Sequence, residues 1–245
     1  MLEKLQKLLE HEGYTVTAEV AEELERLAEL LAEGGTADIS GVLEWLEERK
    51  KNNTMKVTEI GIKDLAGWKT DPATGNIVHA SGRFFQIVGV QIEGAEEREV
   101  SSWTQPMIKQ NECGILGILT KKTGGVRHSL LSAKYEPGSI AEHQLSPTMQ
   151  ATESNLNLVH GGKRPLFAEY FDGSGKGKVL LQVEGVEDPG RFYLKTNKCM
   201  IVEIPSEDLA VAPSGFIWLT LRQIRKLMKL DKVVNGFTRA ILGSM

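Results

Sequence analysis

Cysteine is almost absent from this chain: Cys113 and Cys199 are the two in 245 residues. Two cannot build a disulfide scaffold, and no CxxC or Cys/His cluster suggests a zinc site, so no metal is expected. Long apolar runs are missing as well. None approaches the roughly 18 residues of a membrane-spanning helix, so no membrane partner is expected. Positive charge is not in excess: the net charge is −4, which advertises neither nucleic acid nor an anionic surface. The opening MLEKLQKLLEHEG is charged and amphipathic. It lacks the apolar core and small-residue cleavage site of a signal peptide, and the expected location is the cytoplasm with both thiols reduced. No Walker loop, GxSxG, HExxH or GxGxxG after a strand occurs, which removes support for P-loop, hydrolase-elbow, zincin and Rossmann chemistry. Internal repeats and low-complexity tracts are also missing.

What remains is an ordinary globular balance of 41% hydrophobic and 25% charged residues, divided unevenly along the chain. All eight prolines and 21 of the 25 glycines follow residue 54, whereas the first 54 residues carry 13 acidic against 6 basic side chains. That break predicts a helical segment over 1–54 and a second module over 55–245. Leu2, Leu5, Leu8 and Leu9 fall at helical spacing before Gly13. Thr17 can cap a helix carrying Val20, Leu24, Leu27, Leu30 and Leu31, with Gly34-Gly35 as its stop. A third helix is predicted from Asp38 or Ser40 to the cationic Arg49-Lys50-Lys51 end, which suits the negative pole of the helix dipole.

After residue 54, β-branched and aromatic runs alternate with turn signals. Strands are predicted over 84–92, 98–103, 115–121, 126–135, 178–184, 191–195 and 199–204. A late helix is predicted over 219–230, capped by Thr220. The class is α+β, a mixed or antiparallel sheet with helices at both ends of the chain.

Polar residues gather in four places. Period-two alternation in VRHSLLSAKYE puts His128, Lys134 and Glu136 on one strand face, lining a cleft or, alternatively, meeting solvent. The stretch 143–160 crowds in Gln150, Thr152, Ser154, Asn155 and the terminal His160. Its hydroxyls and amides either read a hydroxyl-rich ligand or form a surface loop. Trp103 and Gln105 pair an aromatic with an amide at a strand end; the alternative is a core tryptophan. Arg191 and Lys195, alternating with Tyr193 and Asn197, could hold a diphosphate or guard a sheet edge.

Several collinear blocks tie these places together: EWLEERKKNN, GWKTDPATGNIVHASGRFFQIVGVQI, WTQPMIKQNECGILGIL, GGVRHSLLSAKYEPGSI, QLSPTMQATESNLNLVHGG, RFYLKTNKCMIVE and FIWLTLRQIRKLMKLDKVVNGFTRAIL. From about residue 42 onward the chain resembles the NDP-hexose 2,3-dehydratase family. The family's glutamine-serine-glutamate-glutamine run stands here as Gly185-Val186-Glu187-Asp188, and its arginine-rich stretch as Thr196-Asn197-Lys198-Cys199-Met200. The resemblance implies a Nudix-like α+β fold and a nucleotide-linked 4-keto-6-deoxyhexose as substrate, usually the thymidine diphosphate form. It implies loss of water across C2–C3 with no redox cofactor.

Under that resemblance Glu136 or His160 is expected to act as the base at C3, Lys134 to steady the enolate, and His128 to be a further acid/base candidate. Trp103, Gln105, Gln150, Thr152, Ser154 and Asn155 would shape the sugar and nucleoside pocket. Arg191, Lys195 and Arg239 would hold the diphosphate. The alternative is a module that binds a nucleotide sugar without turning it over. Family members pair two such modules in one chain, so a single module is expected to form a homodimer that covers the equivalent surface.

Overall fold

The computed structural model describes residues 2–31, 37–140, 143–156 and 163–243. Three helices come first: α1 (Leu2–His11), α2 (Ala18–Leu31) and α3 (Ser40–Lys51). Thr17 Oγ1 accepts from the Val20 amide at 3.3 Å, the predicted cap. At α3 the N-cap is Ile39, with no side-chain cap, and just ahead of it the Asp38 carboxylate accepts from the Ser40 amide at 3.1 Å. The Gly34-Gly35 stop lies outside the described residues.

Among the described residues twelve strands form two sheets. Strands β1 (Trp68–Thr70), β2 (Ile77–His79), β3 (Gln86–Ile92), β4 (Trp103–Lys109) and β10 (Phe192–Tyr193) make a five-stranded sheet in the order β1-β2-β3-β4-β10. A larger sheet runs β12-β6-β5-β11-β9, built from β5 (Gly114–Thr123), β6 (Val126–Lys134), β9 (Lys178–Val186), β11 (Thr196–Glu203) and β12 (Phe216–Thr220). The chain crosses between the sheets at Leu194, which takes φ 55°. That left-handed corner, rare for a branched side chain, breaks the alternation predicted over 191–195.

Both faces of the larger sheet are covered. On one, Leu116, Ile118, Leu131 and Ile201 pack with Val42 and Leu46 of α3, Ile224 and Leu227 of α5 (Leu221–Leu227), and Ile241 of α6 (Gly236–Gly243). On the other, Leu119, Leu130, Met200 and Val202 pack with Met149 and the 167–171 segment. Leu130 and Leu131 are both fully buried, so β6 is not a half-solvated strand. Thr220 caps α5 in a full capping box with Gln223, as its sequence predicts. The helix itself begins only at Leu221, because Phe216–Thr220 form β12. Gln223 Nε2 donates to the Asp38 carbonyl at 2.8 Å and ties α5 to the start of α3.

The feature that shapes the site is a split in this sheet. Strands β5 and β6 pair from Leu119↔Leu130 to Thr123↔Val126 and then part. Beyond the split, β7 (Gln144–Ser146) takes β6 as its partner, and β8 (Met149–Thr152) takes β5. Pro147 and Thr148 sit at the apex. The Thr148 hydroxyl accepts from the Leu119 amide at 2.9 Å and donates to the Leu130 carbonyl. It thus stands in the ladder where β5 and β6 separate.

Candidate functional site

A cavity of about 220 Å³ opens at the far end of this split. Each element contributes the residue that its local geometry aims there. The end of β6 supplies Lys134, and the residue before Pro137 supplies Glu136; β8 supplies Gln150 and Thr152, and the short helix α4 (Glu153–Leu156) supplies Asn155. Lys195 arrives just after the Leu194 corner, and Asn197 sits on β11 beside Gly114 of β5. Gln110, Glu187 and Phe237 complete the wall with Leu116.

The charges are arranged in two groups. Lys134 Nζ lies 2.6 Å from Glu136 Oε1, an ion pair whose geometry is not that of a hydrogen bond. Glu136 Oε1 is buried, and the Lys134 ammonium is the group that faces it. Lys195 is 2% exposed, and its ammonium donates to the Glu112 carbonyl. Asn197 Nδ2 donates to Glu187 Oε2 at 2.8 Å. A side chain at position 114 would collide with Asn197 Oδ1, so glycine there is what lets the amide lie across β5.

Six of the residues singled out by sequence meet here: Lys134, Glu136, Gln150, Thr152, Asn155 and Lys195. Ser154 lies on α4 beside them. His160 lies outside the described residues. Five others are placed elsewhere. His128 stands six residues from Lys134, about 20 Å at the rise of a strand, with Nδ1 2.9 Å from the Val126 carbonyl oxygen. Trp103 and Gln105 belong to the five-stranded sheet. There the indole donates to Gln105 Oε1 at 2.8 Å, and Gln105 Nε2 donates to the Gly190 carbonyl at 3.1 Å. Arg191 is exposed, with its guanidinium on that same carbonyl. Arg239 spends all three of its nitrogens on the carbonyls of Val234, Met228 and Leu230. It staples the chain after α5 to α6, and it does not line the cavity.

Gln110, Asn197, Glu187 and Phe237 were not on the list of candidates. Asn197 and Glu187 carried a signal, the first through its alternation with Lys195 and the second as the retained glutamate of the 185–188 run. Gln110 and Phe237 carried none. Among the described residues no group of three His, Cys, Asp or Glu could hold a metal ion, and no helix is long and apolar enough to cross a membrane. Cys113 and Cys199 are free, and burial pushes the Cys199 thiol up.

Comparison with known proteins adds sequence relatives. The chain is 46% identical over 198 residues to a dTDP-4-dehydro-6-deoxy-alpha-D-glucopyranose 2,3-dehydratase from Saccharopolyspora spinosa, covering 81% of this chain and 40% of that one. Enzymes of the same description from Amycolatopsis orientalis and Streptomyces violaceoruber are 41% and 37% identical, covering 82% and 85% of this chain and 43% and 46% of theirs. The chain therefore spans less than half the length of these relatives. Among solved structures, an ADP compounds hydrolase aligns with a TM-score of 0.42 at 10% identity, covering 78% of this chain and 94% of that one. A Nudix hydrolase from M. smegmatis, RenU, aligns at 0.35 and 16%, covering 54% and 87%. Those structural likenesses are loose. The sequence match is not: the model of the NDP-hexose 2,3-dehydratase family fits residues 39–245, and the chain belongs to that family.

Proposed function

We propose that the protein is a lyase that removes water across C2–C3 of a nucleotide-diphosphate-linked 4-keto-6-deoxyhexose. The observation that carries this reading is the cavity, which brings the Glu136 carboxylate, ion-paired with Lys134, and the buried Lys195 into one space walled by amides and hydroxyls. The C4 ketone acidifies the proton on C3, and the C2 hydroxyl lies β to that ketone. Elimination therefore needs a base at C3, a cation at the C4 oxygen and a proton for the departing hydroxyl. Glu136 takes the C3 proton. The same carboxyl returns it to the C2 oxygen as the C2–O bond breaks, water leaves, and the resulting enol becomes a 3,4-diketo sugar.

Lys195 is assigned to the enolate oxygen and Lys134 to the diphosphate, the reverse of the roles expected from sequence. The reason is burial: a charge in a water-excluded pocket acts on a developing oxyanion far more strongly than a half-exposed one. Gln150, Thr152, Asn155 and the Asn197–Glu187 pair would read the sugar hydroxyls. Incubation with a thymidine-diphosphate 4-keto-6-deoxyhexose should give a product lighter by one water in mass spectrometry. Tight binding without that mass loss would favour a non-catalytic binding module of the same fold.

The setting of the site is part of the proposal. Residues 1–54 form a helical segment ahead of the module over 55–245, with α3 as the part that docks on the module's core. The location is cytoplasmic. Two copies pair as a homodimer, because the half-buried apolar residues of the five-stranded sheet enter neither core cluster and a second copy would cover them. Sedimentation at micromolar concentration should give about twice the 27.0 kDa chain mass; a concentration-independent monomer would refute the pairing.

A further inference from the structure

The structure assigns the nucleoside end of the substrate to a second hollow that adjoins the polar cavity, an inference that rests on the reading above. This hollow is about 310 Å³ and is walled by Pro147, Met149, Pro165, Leu166 and Phe216. It shares two residues with the polar cavity, Lys134 and Gln150. The two spaces therefore adjoin at the end of β6, and Lys134 stands on the boundary.

Three arguments fix the occupant. First, the polar cavity alone is smaller than the about 300–1,000 Å³ usual for small-molecule sites, whereas the two together fall within that range. A nucleotide sugar is a linear molecule with polar sugar, doubly anionic middle and flat base, and it needs two compartments joined at a cation. Second, the chemistry runs in that order: amides and carboxylates in one space, an ammonium at the joint, apolar walls in the other. Third, the apolar wall is rigid. Pro147 and Met149 are buried, and the Phe216 ring is held edge-on to Phe167 at 5.1 Å and 89°. A fixed flat wall suits a planar base that stacks by its face. Leu166, 64% exposed, forms the rim.

A larger hollow of about 560 Å³, lined by Arg164, Tyr170, Gln182 and Lys198, competes for the role. It shares no lining residue with the polar cavity, whereas the apolar hollow shares Lys134 and Gln150.

The test is titration calorimetry with thymidine diphosphate, which carries no sugar. Leu166→Asp, at an exposed rim position that the fold tolerates, should weaken binding at least tenfold by setting a carboxylate beside the base and the diphosphate. Lys198→Ala should leave affinity unchanged. Unchanged binding in Leu166→Asp, weakened binding in Lys198→Ala, or no binding of the diphosphate to the wild type would each overturn the assignment. Failure of the dehydration itself reads out separately: binding that is sensitive to Leu166→Asp, in a protein that releases no water from the 4-keto sugar, keeps the subsite and removes the lyase.

Discussion

Glu136→Gln should slow turnover of a nucleotide-linked 4-keto sugar by about 10²- to 10⁴-fold, the usual contribution of a positioned general base. The substitution keeps the shape and the acceptor oxygen but cannot take a proton. Substrate affinity should change little, because Lys134 and Gln150 remain. Stability should hold to within about 1 kcal/mol, the worth of an exposed ion pair: the Lys134 and Glu136 side chains are 40% and 41% exposed. The two readouts separate chemistry from structure. A rate measured under saturating substrate and a urea melt on the same sample suffice, and a wild-type rate in the variant would take Glu136 out of the reaction.

The largest effect on stability should come from Thr148→Val. Valine matches threonine in shape but loses the hydroxyl that serves both the Leu119 amide and the Leu130 carbonyl. Both backbone groups lie in the buried core, where each unsatisfied group costs about 1–3 kcal/mol, so a loss of roughly 2–4 kcal/mol is expected from urea unfolding. Against a typical total of about 5–15 kcal/mol, that is a large fraction. Thr148→Ser keeps the hydroxyl and should lose no more than about 1 kcal/mol, the scale of one buried methyl group. Equal stability of the valine and wild-type proteins would mean that the split in the sheet needs no bridge.

The parts of this fold that were legible in sequence are those governed by local rules. The spacing of Leu24 and Leu27, the cap at Thr17 and the turn at Gly124-Gly125 place α2 and the β5–β6 hairpin where the structure has them. Strand β4 was misplaced. It runs over Trp103–Lys109, where Pro106 reads as a breaker, while the charged 98–102 stretch that read as strand is loop. Proline is tolerated there at a position paired with Gly89. The 143–160 stretch hid β7, β8 and α4, because three- and four-residue strands are too short to show a period.

The site divides in the same way. Lys134, Glu136, Gln150 and Thr152 line the cavity, where chain-local alternation aims them. Arg239 lies elsewhere, because its partners, the carbonyls after α5, are acceptors that every residue carries. Phe237 and Gln110 reach the cavity only through tertiary packing. Lys195 is expected at the diphosphate from sequence, and its burial, which no local pattern shows, is what moves it to the enolate oxygen in the proposed reading.

The parallel alignment of β11 beside β5 has a consequence for how the molecule comes to be folded. Lys195 and the carbonyl that holds it, Glu112, are 83 positions apart in the chain. The β5–β6 hairpin closes over a two-residue turn and can form early, whereas the β5–β11 pairing must first overcome the entropy of a long loop. During synthesis the hairpin emerges with its anionic Glu136 already in place, long before the ammonium that completes the cavity. The cavity is thus incomplete until the sheet is nearly finished, and a half-folded chain presents Glu136 without the buried Lys195.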